Sequence, residues 1–262
     1  NVSGGPKMFQ LYIHKDKGLT DNLIDRCKRS GFKAMCLTVD TVVAGNRERD
    51  HRWGFTTPPK LTLKSLLSFA THPMWSINYL THEKFQLANV SHFTKKGSSI
   101  AKGVMEYINE QCDPKMNWQD AEYCIKRWGG PFAIKGVMSV EDAKRAVEIG
   151  ASAIMLSNHG GRQLDGSRSP FDQLPAIAEA VGGKLEIILD GGVRRGTHVL
   201  KALSLGATAC SFGKGYLFAL GAGGQKGVEA LLQRMHDEIR RDMILLGCKT
   251  IKDLKKTNIA YR

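Results

Sequence analysis

The run Ala153-Ile154-Met155-Leu156-Ser157-Asn158-His159-Gly160-Gly161-Arg162-Gln163-Leu164-Asp165 decides how the rest of the chain is read. Its first four residues are short and uniformly apolar, the pattern of a parallel strand buried on both faces. Polarity then changes at once. A hydroxyl, an amide, an imidazole, two glycines and a guanidinium follow within six positions. Imidazole is the side chain whose ordinary pKa lies nearest neutrality, so His159 suits a base. A guanidinium is a planar fork that holds a carboxylate through two parallel hydrogen bonds, so Arg162 suits a clamp. Base and clamp on one loop beyond a strand point to chemistry on a small organic acid. The same two residues also suit a loop cap, and spacing alone does not choose.

The same transition recurs on both sides of this stretch. Upstream, Phe9–Ile13 carries Tyr12 near its end, Ala34–Val39 ends in Asp40, and Phe132–Gly136 carries Lys135. Downstream, Glu186–Leu189 runs into Asp190-Gly191-Gly192, and Ala209–Phe212 into Gly213-Lys214. Helical patterns separate these runs: Leu19–Arg29 closed by Gly31, Trp118–Trp128, Ser139–Gly150 with a Ser139-x-x-Asp142 capping box, Leu174–Val181, Thr197–Gly206 and a long Gly227–Leu246. Strand and helix alternate strictly, the mark of an α/β protein with a parallel sheet. Functional-looking residues fall just past the C-terminal end of every strand, as in a TIM (β/α)8 barrel. A doubly wound sheet would gather them at one switch point. Six units are present where a closed barrel needs eight. The expectation is therefore strands three to eight of a barrel, N-terminally incomplete, with residues 1–262 forming one domain.

Two glycine clusters fall where such barrels bind phosphate, after strands seven and eight. Asp190-Gly191-Gly192-Val193-Arg194-Arg195-Gly196 and Gly213-Lys214-Gly215 each combine exposed backbone N–H groups with a cation. Either alone is an ordinary turn; together they suggest a phosphate-bearing cofactor. No Gly-x-Gly-x-x-Gly follows a strand, which argues against a nicotinamide dinucleotide.

Composition narrows the class. The net charge is +13, concentrated in residues 1–102 with 16 Lys/Arg against 7 Asp/Glu. No nucleic-acid module or aromatic-basic interleaving accompanies it, so nucleic acid is not an expected partner. Six scattered cysteines without a Cys-x-x-Cys pair indicate reduced thiols and no metal site. Between the Asp40 strand and the next helix lies an interruption of residues 55–103, long for a loop. Residues 55–102 hold six Lys and one acid, Glu83, beside the apolar run Leu61 to Ile77 with Trp75. Apolar surface with Trp and a basic excess describes a segment lying in a membrane interface; the other reading is an active-site lid.

The His-Gly-Gly-Arg-Gln-Leu-Asp run, with Gln10-Leu11-Tyr12 upstream and Asp190-Gly-Gly-Val-Arg-Arg-Gly196 downstream, resembles the FMN-dependent 2-hydroxy-acid dehydrogenases and oxidases. The resemblance extends from Phe9 to about Lys252. It implies FMN as cofactor and His159 as the base, acting on the α-proton or on the hydroxyl proton. It implies that Asp40 orients His159, that Arg162 and Arg47 clamp the substrate carboxylate, and that Tyr12 hydrogen-bonds the substrate. It assigns Lys135 to a position beside the flavin pyrimidine edge, and Gln10, Thr38 and Ser157 to the ring. Asp190, Gly191, Gly192, Val193 and Arg194 would hold the ribityl chain and phosphate, with Gly213 and Lys214 completing the site. The family usually has Arg where Lys214 stands, so charge is kept but the fork is lost.

The resemblance further implies oxidation of an L-2-hydroxy acid, L-lactate first and L-mandelate as the close alternative. Members with an insertion at 55–103 attach to membranes and pass electrons to quinone or another respiratory carrier, while soluble members use oxygen. The matching location is peripheral, on the cytoplasmic side of the inner membrane, or the cytoplasm if the insertion is only a lid. A homo-oligomer, a tetramer in the family, is expected. Two other classes stay open: an inactive remnant unable to close its barrel, and a different phosphate-binding barrel such as an FMN-dependent isomerase.

Overall fold

The computed structural model describes residues 4–43, 45–48, 52, 62–82, 89 and 112–260. Six strands form one sheet: β1 (Met8–Leu11), β2 (Ala34–Thr38), β3 (Phe132–Val137), β4 (Ala153–Leu156), β5 (Glu186–Asp190) and β6 (Ala209–Ser211). Every neighbouring pair is parallel and the spatial order is the sequence order, with β1 and β6 as the two edges. A sheet without a reversal in its order has no switch point, so the strands are laid out as consecutive staves of a barrel.

The helices between them are α1 (Lys17–Arg29), α4 (Trp118–Trp128), α5 (Val140–Glu148), α6 (Pro170–Val181) and α7 (Gly196–Ser204). The side-chain period of two splits each strand between two cores. Leu11, Leu37, Ile134, Ile154 and Ile187 point outward and are sealed under Leu19, Ile24, Leu174 and Ile177 of the helices. Cys36, Ala133 and Met155 point inward and form a separate small cluster with Ala153 and Ile188. The inner face changes to polar at its C-terminal rim, with Thr38, Lys135, Ser157 and Asp190. That rim is where the chemistry gathers.

Local signals explain the boundaries. Asp16 accepts hydrogen bonds from the Gly18 and Leu19 N–H groups, starting α1 two residues before the expected Leu19. Asn117 and Asp120 form a reciprocal capping box at α4, and Gly129 closes it in the left-handed conformation. Ser139 caps α5 by accepting from the Asp142 N–H at 3.0 Å. The last helix differs from expectation. α8 runs Lys214–Leu245, beginning directly after β6, and is broken at Gly223 and Gly224, whose backbone is non-helical.

Part of the interruption is also helical. α2 (Leu63–Thr71) and α3 (Pro73–Thr81) follow one another, with Thr62 and Ser65 forming a capping box at the first and Pro73 at the first position of the second. Neither helix buries a residue. Phe69, Trp75 and Tyr79 stack in a ladder with ring centroids 5.2 and 5.3 Å apart. Leu63, Leu67, Met74 and Leu80 are exposed. No helix among the described residues is long and apolar enough to cross a membrane. Apart from residue 89, the rest of the 55–103 segment lies outside the described residues.

Candidate active site

Four of the expected residues meet at the rims of β3, β4 and β5. The ammonium of Lys135 donates to the Ser157 hydroxyl at 3.0 Å and lies 3.3 Å from the Asp190 carboxylate. Ser157 in turn donates to Asp190 at 2.7 Å and accepts the His159 backbone N–H at 3.1 Å. Lys135 is 8 % exposed and Ser157 fully buried. Burying an amine is costly unless a carboxylate and hydrogen bonds accompany it, and here both do. The triad also orients Ser157, whose remaining interactions anchor the first residue of the His159 loop.

That loop turns through unusual backbone. His159 is the non-glycine residue with positive φ among those described, at 56°, and Gly160 and Gly161 follow at 67° and 70°. Asn158 steadies the turn: its side-chain carbonyl accepts the Gly161 N–H at 3.1 Å and its amide donates to the Arg168 carbonyl at 3.2 Å. The turn presents the ring of His159 to Asp40, with Nδ1 at 3.1 Å from Oδ1. A carboxylate on Nδ1 fixes that nitrogen as the donor and leaves Nε2 as the nitrogen that takes up a proton. Asp40 is held from below as well. Gly136 sits at a bulge in β3 with φ 107°, and a Cβ there would lie 2.7 Å from the Cβ of Asp40. Only glycine lets the two backbones approach so closely.

At β1 and β2 a second polar group forms. The Gln10 amide donates to the hydroxyls of Tyr12 and Thr38, both at 2.8 Å. Burial pushes the Tyr12 phenol up from its ordinary value, so it remains a hydrogen-bond donor over a wide pH range. Arg47 and Arg162 are both exposed. Gly45 packs against the Arg162 backbone, where a Cβ would fall 2.3 Å from the Arg162 carbonyl oxygen.

The expected phosphate end is built from two different kinds of group. Gly191 and Gly192 have φ of 95° and 73°, and a Cβ on either would meet nothing within 4 Å; the same space lies over Gly213. Val193 is buried in the outer core, which leaves only its backbone available to a ligand. The Arg194 N–H donates to Nδ1 of His198 at 3.2 Å. At α7 the Gly196 N–H is already taken by the buried Glu238 carboxylate at 2.7 Å. That bond, with Arg234, holds Glu238 below the usual carboxylate range. Of the two helix N-termini here, that of α8 at Gly213 has no such carboxylate cap. Lys214 reaches across to the Gly160 carbonyl at 2.8 Å and ties the last strand to the His159 loop.

The fold therefore joins Lys135, Ser157 and Asp190, joins His159 to Asp40, and joins Gln10, Tyr12 and Thr38. Three contributors carried no functional expectation in the sequence: Gly136 beneath Asp40, Asn158 within the turn, and Gln163, which bonds the Asp40 and Val43 carbonyls at 3.1 and 2.9 Å. Gln163 and Asn158 stand within the decisive run, which was the available signal. FMN fits these residues: a polar, cationic inner rim flanks a cradle over Gly191, Gly192 and Gly213 that any side chain there would fill.

Known proteins share this fold and much of this sequence. An L-lactate oxidase from Nostoc sp. is 43% identical over 246 residues, 94% of this chain and 62% of the relative. An L-lactate dehydrogenase from Serratia proteamaculans is 40% identical over 255 residues, covering 97% and 67%. The structure of the monotopic membrane protein (S)-mandelate dehydrogenase superposes with a TM-score of 0.93 at 32% identity, covering all of this chain and 68% of that one. The chain thus spans about two thirds of the length of these relatives, 62 to 68%. The model of the FMN-dependent dehydrogenases matches residues 1–261, and the chain belongs to that FMN-using family.

Proposed function

We propose that this chain supplies the base, the carboxylate clamp and the FMN cradle of an L-2-hydroxy-acid dehydrogenase, with L-lactate the leading substrate. The observation that carries this reading is the His159–Asp40 pair at 3.1 Å, set on a loop that also bears Arg162. FMN, when bound, accepts the two electrons of the oxidation. Gln10, Thr38, Lys135 and Ser157 would hold its ring; Asp190, Gly191, Gly192, Val193, Arg194, Gly213 and Lys214 would hold its ribityl chain and phosphate. The fixed charge of Lys135 favours negative charge developing beside it.

The remaining residues act on the substrate. Arg162 and Arg47 grip the carboxylate and so fix which face of the α-carbon is presented. Tyr12 hydrogen-bonds the substrate from the β1 side. Nε2 of His159 takes a proton, from the hydroxyl or from the α-carbon, and Asp40 stabilises the imidazolium that results. The product is the 2-oxo acid.

Electrons leave to quinone or another respiratory carrier, and the 62–82 helix pair makes a peripheral membrane contact. Its exposed Leu66, Leu67, Trp75 and Ile77, with no acidic residue in those helices, support this. The likeness to a monotopic membrane dehydrogenase supports it also. A homo-oligomer at the cytoplasmic face of the inner membrane accompanies the reading. A second reading, an oxygen-using oxidase, is favoured by the Nostoc relative. Anaerobic addition of L-lactate to the FMN-loaded protein is expected to bleach the flavin band. L-Mandelate bleaching it faster would change the substrate, and reoxidation by air faster than by a soluble quinone would change the acceptor.

A further inference from the structure

We infer that Gln163 is a positioning residue that sets the spacing between the two halves of the carboxylate clamp. The inference rests on the clamp and base named above. Its amide nitrogen donates one proton to the Asp40 carbonyl at 3.1 Å and the other to the Val43 carbonyl at 2.9 Å. Both donors of the amide are thus used on one loop, 120 and 123 residues away in sequence.

The consequence is geometric. Arg162 precedes Gln163, and Arg47 stands four residues beyond Val43, so the two arms leave from either side of this tie. Asp40 is gripped at both ends: His159 holds its carboxylate and Gln163 its carbonyl. Gly45 closes the seam from the other direction, since a Cβ there would lie 2.7 Å from Cα of Gln163 and 2.9 Å from its Oε1. Together with the His159–Asp40 contact, the amide and the close approach of Gly45 set the register of these two loops. A shift of about 1 Å in such a register is enough to lower kcat/KM by roughly two orders of magnitude.

The test uses the full chain loaded with FMN. Gln163→Leu keeps the volume and removes both donors; Gln163→Glu keeps the shape and sets a carboxylate against two carbonyls. Gly45→Ala parts the same loops while keeping both amide donors, its Cβ pressing on the Arg162 carbonyl, Cα of Gln163 and Oε1 of Gln163. All three are expected to retain flavin and to raise KM for L-lactate at least tenfold, with a smaller loss in kcat. Should Gln163→Leu lose its flavin or its fold, Gln163→Glu and Gly45→Ala carry the same comparison. A variant set with unchanged KM, in a wild type that turns over, overturns the inference and leaves the proposed activity standing. If the wild type oxidises no hydroxy acid, the proposed activity falls and oxalate binding decides. Oxalate needs the clamp but no turnover, so tenfold weaker binding to Gln163→Leu supports the tie. Equal binding, or no binding to wild type, overturns it.

Discussion

The imidazole Nδ1 of His159 lies 3.1 Å from Oδ1 of Asp40, a contact between residues 119 positions apart that closes the rims of β2 and β4 over one another. The partner of the base is thus supplied by the strand two places away in the sheet. Replacing His159 by Gln keeps a polar side chain and removes the base. The expected outcome is retained flavin absorbance and a fall in the rate of reduction by L-lactate of roughly 10²–10⁴. Asp40→Asn keeps the shape, loses the charge that stabilises imidazolium, and is expected to fall within the same range. Anaerobic stopped-flow reduction measures both, and an undiminished rate in His159→Gln removes the base assignment.

The side chains of Lys135 and Asp190 are 11% and 13% exposed and 3.3 Å apart, so each neutralises a charge the other would leave buried. Lys135→Met strands the Asp190 carboxylate, and a broken pair of this kind costs about 3–5 kcal/mol. Urea unfolding of Lys135→Met should show that loss. Lys135→Met with Asp190→Asn should regain most of it while FMN binding stays weak.

Burial pushes the Cys36 thiol up to about 12 and those of Cys124 and Cys210 up to about 11, and raises Tyr12 above 10.0. In the unfolded chain thiols ionise near 9.0. The stabilisation is therefore fully present below pH 9 and is lost as pH rises from there toward 12, because only the unfolded chain releases protons in that window. Urea midpoints are expected to be flat from this cause up to pH 9 and to fall above it. Cys36→Ala and Cys210→Ala, with their thiols gone, flatten that limb. At pH 8 the buried Cys27, Cys36 and Cys124 should resist thiol reagents until the protein is unfolded.

Trp75 and Leu67, 52% and 68% exposed, offer the 62–82 helices a face for a lipid interface. Burying a large apolar side chain contributes about 1.5–3 kcal/mol, so serine at either position should weaken partition onto anionic vesicles about tenfold or more. Flavin reduction by L-lactate should not change. A loss of reduction without a loss of partition would identify the helices as a lid.

The strands were legible because each alternates between two cores and ends where its inner face turns polar. Ala153–Leu156 and Trp118–Trp128 run between the residues their patterns indicate. The helices at 62–82 were not, because the second carries little amphipathic period and neither buries a residue, although Thr62, Ser65 and Pro73 mark their starts. The start of α8 was hidden by Gly221, Gly223, Gly224 and Gly227, which argue against a helix that nonetheless forms on both sides of a break. At the site, charged and aromatic residues announced themselves singly. Their pairing did not, because Lys135 with Asp190 and Asp40 with His159 meet only through parallel strand register. Gln163 gave least warning: an amide carries no charge and no period, and its partners are main-chain carbonyls.

The φ of 56° at His159 means that the base stands where an L side chain strains the backbone by about 1–2 kcal/mol. Glycine would relieve that strain and leave the loop easier to fold. The proposed catalytic residue and the thermodynamically preferred one are therefore in opposition at one atom of Cβ. Glycine at this site would therefore give a sturdier protein that lacks the proposed base.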